Sequence, residues 1–183
     1  MKNEKEYAGI FGLIILGFVF GILSKAGDVA VQGYFLGDTL YAFGLVTSGI
    51  FIWVVVCTAI SILSKNKFWA AVNIFFFLAS MLLAYYLYSY FVVDYLVLRV
   101  VKFWIIMLIP ALVLGIIIRS VKTNKILRYA AIFTGTLIMI VEMFVFQGGF
   151  FAAIIIDIIL YVIFLRLITS KCLKNSKKKE LHI

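Results

Sequence analysis

The sequence predicts an all-α polytopic membrane protein, a bundle of six transmembrane helices in one domain. Three observations carry this. The 183 residues are 66% hydrophobic and only 14% charged, whereas a soluble domain is about 45–50% apolar and about 25% charged. Apolar runs of spanning length recur between short polar breaks, and a bilayer crossing takes about 20 such residues. The basic residues gather in those breaks, at the ends of the apolar runs and in the two terminal segments.

The spans fall at about 7–23, 41–63, 68–90, 96–118, 126–146 and 150–167, followed by a basic cytoplasmic tail over 168–183. The first, in MKNEKEYAGIFGLIILGFVFGILSK, has an apolar run longer than the core of a signal peptide, and no small-residue cleavage motif follows it. It is expected to be retained. A longer connection over 24–40, carrying Asp28, Gly33, Gly37 and Asp38, precedes the second span. Lys65-Asn66-Lys67 separates the second and third spans, and Gln147-Gly148-Gly149 the fifth and sixth. The Gly-Gly pair supplies the positive φ of a tight turn. Pro110 interrupts the fourth span, freeing the carbonyl of Ile106.

Six crossings place both termini on one side. Fourteen of the 17 Lys and Arg then share that side, against Lys25, Arg99 and Lys102 opposite. The positive-inside rule makes the charged side the cytoplasm, so a plasma membrane with both termini inside is expected. The same distribution explains the net charge of +9 without nucleic acid.

Two acids interrupt the last two spans, Glu142 and Asp157 in IVEMFVFQGGFFAAIIIDIILYVIF. Helical rise puts Asp157 about 12 Å and Glu142 about 8 Å from the outer turn. An ionised acid at such depth costs about 2.5–3.5 kcal/mol even on the lenient insertion scale. Two readings stay open. The acids, with Asn73 of the third span, line a ligand- or proton-binding site, or they are protonated groups that hold helices together and share a proton.

Asp28, Asp38, Asp94, Arg99 and Lys102 gather on the outer side as a candidate mouth. Tyr85, Tyr86, Tyr88, Tyr90 and Tyr95 read as interfacial anchors, or as an aromatic wall facing a ligand. Polar stripes run along the second span (Thr47, Phe51, Val54, Thr58, Ser61) and the third (Asn73, Phe77, Ser80, Ala84), as interhelical hydrogen bonding requires. Gly17 and Gly21 form a small-residue helix-contact face.

Several enzyme classes lack their residues here. There is no phosphate-binding G-x-x-x-x-G-K-[ST]. The single His, His182, lies outside every span, so neither a His-bound metal nor a Ser–His pair is expected within the membrane. "YFLGD" has Phe35 where aspartyl intramembrane proteases carry glycine. No cofactor is expected.

FGILSKAGDV and AAVNIFFFLASMLLAYYLYSYF resemble segments of a loose group of bacterial multi-span proteins of unknown function, implying a bacterial inner membrane. The six-span layout, with its long first outer loop, is similar to substrate-binding S components of energy-coupling-factor transporters. That resemblance implies capture of a small molecule near the outer face. It also implies docking of a membrane coupling subunit on the first helix, at Gly17 and Gly21. The leading expectation is thus a non-catalytic solute-binding or transport-related subunit. The alternative is an accessory or immunity-like interaction protein with a membrane partner, in which the acids are structural.

Overall fold

A computed structural model describes residues 4–30, 35–94, 98–121, 123–145 and 151–180. Among these the chain is helical throughout, with seven helices: α1 (Glu4–Asp28), α2 (Phe35–Ser48), α3 (Phe51–Leu63), α4 (Lys67–Phe91), α5 (Leu98–Ser120), α6 (Lys125–Val145) and α7 (Phe151–Glu180). Four stretches are long and apolar enough to cross a membrane, namely Gly9–Asp28, Lys67–Phe91, Val101–Ser120 and Lys125–Phe144. The pair Gly37–Thr47 and Phe51–Leu63 makes a fifth if taken as one broken span. Outward-facing residues such as Phe11, Ile109 and Phe144 (84% exposed) are large and apolar, as a lipid surrounding requires.

The second span differs from its expected form. A continuous helix over 41–63 is replaced by α2 and α3, bent by 67° at Gly49-Ile50. The cause is local. The Thr47 hydroxyl turns back to the Phe43 and Gly44 carbonyls (2.9 and 3.2 Å), a bond that bends helices. The Gly49 N–H closes a tighter turn on the Val46 carbonyl (3.2 Å). Thr47 therefore leaves the polar stripe that continues through Phe51, Thr58 and Ser61. The long first connection is also shorter than expected, because α1 runs on to Asp28 and α2 begins at Phe35. Gly33 and the Gln147-Gly148-Gly149 turn lie outside the described residues.

Close contacts give the helix directions. Gly17 packs on the Phe77 carbonyl and Ser80, and Gly21 on the Met81 carbonyl and Ala84, so α1 and α4 run parallel. Gly27 meets Gly44, backbone against backbone, and Phe20 stands against Trp53, so the α2–α3 path as a whole returns along α1. Gly115 of α5 meets Ile74 of α4 and Ser61 of α3, while Arg119 reaches the Ile62 carbonyl, so α5 follows α3. Gly135 against Phe164 and Thr136 Oγ1 against Tyr161 Oη (2.7 Å) make α6 and α7 an antiparallel hairpin.

Two clusters form the core. Val46, Trp53, Ile74, Phe77 and Met81 join α2, α3 and α4. Phe51, Val55, Ile118, Phe164 and Ile168 join α3, α5 and α7. The short helix α3 belongs to both and is the axis of the bundle.

Candidate functional site

Breaking a helix inside a bundle strips partners from the last carbonyls of one piece and the first N–H groups of the next. Where water is excluded, each must be satisfied by protein. Here side chains do so. The Trp53 indole N–H donates to the Thr47 carbonyl at the end of α2 (2.8 Å). The Phe51 N–H, first in α3, donates to Glu142 Oε2 of α6 (2.6 Å). A carboxylate at a helix N-terminus also meets the positive end of the macrodipole. Gly49 is seated on the carboxyl group of Glu142, and a β-carbon there would collide with it.

Asp157 of α7 completes the group. The hairpin register set by Gly135–Phe164 and Thr136–Tyr161 brings Asp157 level with Glu142, and Tyr161, one helical turn on from Asp157, lies against Phe51. Glu142 is 2% exposed and Asp157 0%. The two acids are thus brought to the same level at the break, both buried in packing.

The opposite end of α3 is finished with the opposite charge. Arg119 donates to the Ile62 carbonyl through Nη1 (2.9 Å) and to the Lys65 carbonyl through Nη2 (2.7 Å). Asn73 also belongs to that end, where its amide donates to the Ser64 hydroxyl (3.1 Å). It therefore does not join Glu142 and Asp157.

Two cavities lie against α3 on the side of α4 and α5. An apolar cavity of about 280 Å³ sits between α3, α4 and α5, lined by Trp53, Cys57, Met81, Trp104, Met107 and Pro110 among others. A smaller, more polar one of about 130 Å³ adjoins it toward α1 and α2, with Ser24, Thr47, Tyr85 and Tyr86 in its wall. Trp53, Met81, Leu82 and Trp104 line both, so an apolar cavity and a more polar one adjoin across these four side chains.

No family model, curated protein or solved structure matches the chain. The site must therefore be judged on its own chemistry.

The proposed mouth residues are spread along the ends of several helices. Asp28 accepts a hydrogen bond from Tyr85 (2.5 Å), and Lys25 Nζ stands 5.0 Å from the same ring. Asp38 is in the first turn of α2, Asp94 holds a positive φ of 52° after α4, and Arg99 starts α5; all are exposed. Gly17 and Gly21 are covered by α4. Sequence reasoning did not find Ser24, Trp53 or Trp104 as site residues. The tyrosine-rich end of α4 was the available signal, since Tyr85 and Tyr86 face the smaller cavity.

Proposed function

We propose that this chain is a non-catalytic subunit of a bacterial plasma membrane, crossing it six times with both termini in the cytoplasm, that holds a small amphipathic molecule. The observation that carries the reading is the pair of adjoining cavities sharing Trp53, Met81, Leu82 and Trp104. Ligand pockets are mostly apolar with a few placed polar groups. An apolar body fits between α3, α4 and α5, with its polar group among Ser24, Thr47, Tyr85 and Tyr86. The polar contacts expected of Glu142, Asp157 and Asn73 pass to these residues. The alternating helix directions support the six-crossing order, with α2–α3 as one bent crossing, and the distribution of Lys and Arg supports the orientation.

Native mass spectrometry of the protein released from nanodiscs tests the ligand. Wild type should retain a small non-phospholipid mass that Leu82→Trp, which fills the shared wall, eliminates. An empty wild-type protein, or one carrying phospholipid alone, would end this reading. It would favour the second one, an interaction protein whose acids are structural. That reading draws on the sealed packing of Glu142 and Asp157. Topology is checked separately. With Cys57 and Cys172 replaced by Ser, Asn66→Cys and Asp94→Cys should react with an impermeant maleimide from opposite sides.

A further inference from the structure

We propose that Glu142 and Asp157 together hold a single proton at the N-terminus of α3, so that the break in the second crossing is also a one-proton binding site. The argument begins with the oxygens of Glu142. Oε2 accepts the Phe51 N–H, and the Ile50 N–H also acts on the carboxylate. Oε1 is buried and has no hydrogen-bond partner among the described residues. An unpartnered oxygen on a side chain 2% exposed is expensive, and a proton between two carboxyl groups satisfies it. The helix N-terminus alone would only cap; the orphaned Oε1, lying against Gly49 at the break, points to an occupant.

Charge limits the occupant's number. Asp157 is the titratable neighbour of Glu142, while α3 and its N-cap Ile50 present backbone N–H groups there. With both acids ionised, two negative charges would share a buried site, a state that desolvation and mutual repulsion both oppose. With both neutral, the N-terminus of α3, equivalent to about half a positive charge, would face no anion. One proton leaves one negative charge to meet that helix end and one O–H to bond between the acids. Gly49, with no β-carbon, leaves room for the carboxyl group against the backbone.

This site is separate from the cavity, so its failure would leave the ligand reading untouched. Infrared spectroscopy of the reconstituted protein at neutral pH counts neutral carboxyl groups through their C=O stretch. Mass spectrometry after treatment with a hydrophobic carbodiimide, which labels neutral acids in apolar surroundings, counts them independently. Asp28, Asp38 and Asp94 are exposed, and the signal of a Glu142→Gln, Asp157→Asn double variant is subtracted as background. Wild type should show one neutral acid per chain and at most one label, on either residue. Asp157→Asn should abolish both signals, because the remaining Glu142 then stays an anion on Phe51. A wild-type count of none or two overturns the proposal. So does an Asp157→Asn protein whose signal is undiminished. If Asp157→Asn does not fold, the wild-type count alone decides.

Discussion

Glu142 shows how one side chain can support a discontinuity in a helix. Its substitutions separate shape from charge. Glu142→Gln keeps an acceptor for the Phe51 N–H and loses the charge–dipole attraction, a loss of about 0.3–2 kcal/mol. Glu142→Leu leaves that N–H buried and unmet, which should destabilise by about 1–3 kcal/mol. Gly49→Ala attacks the same contact from the backbone side, and about 1–3 kcal/mol is expected for the forced shift. Unfolding in mixed micelles should rank the losses with Gln below both Leu and Ala. A Glu142→Leu protein as stable as wild type would remove the acid from the account of the break.

This residue also marks what was legible beforehand. Pattern alone shows that Glu142 and Asp157 lie at similar depth, because a hairpin with its turn near Gly148 fixes their levels. What each acid touches was not legible. The partner of Glu142 is a backbone N–H on a helix 91 positions earlier in the chain. That group is free only because a helix that reads as continuous is broken. Asn73 was misplaced for a related reason: a stripe along one helix says which face is polar, not which end of a neighbour it meets.

At the scale of elements, α3 is a 13-residue helix with an acid at its N-terminus and a guanidinium at its C-terminus, each from another helix. That polarity matches the macrodipole. Nine of its residues are buried, so it is held by its neighbours more than by its own propensity, as short helices must be. The Trp53 indole links α3 back to α2. Trp53→Phe keeps most of the ring but orphans the Thr47 carbonyl, and a loss of about 1–3 kcal/mol is expected. Hydrogen exchange should then rise around residues 44–54 before the rest of the bundle. Uniform exchange would mean the indole does not hold the joint. The small-residue pattern of α1 was readable as a contact face. Its partner was not, because Gly17 and Gly21 suit any close helix, and α4 takes the place.

For the whole molecule, helix existence and apolar character were open to pattern reading because each run is long. The bend was not, because its cause is a few short contacts around Thr47, Gly49 and Glu142 rather than a change in hydropathy. Yet the bend alters how the protein meets its bilayer. The 14 residues of α2 and 13 of α3 form a path of about 40 Å at 1.5 Å per residue. Inclined at 67° to an upright α3, α2 contributes only about 8 Å of height, for a total of about 28 Å at that rise. A hydrocarbon core is about 30 Å thick, so the crossing fits with α2 lying sideways. Hydrophobic mismatch then has a soft point to act on. Long-chain bilayers should pull the joint toward straightness, stretching the contact between Glu142 and Phe51, while short-chain bilayers leave it folded. Faster amide exchange at the joint in thick membranes would show it; equal exchange in both would mean the joint is rigid. Membrane thickness thereby becomes a mechanical input to this chain, delivered to the place where its two buried acids meet.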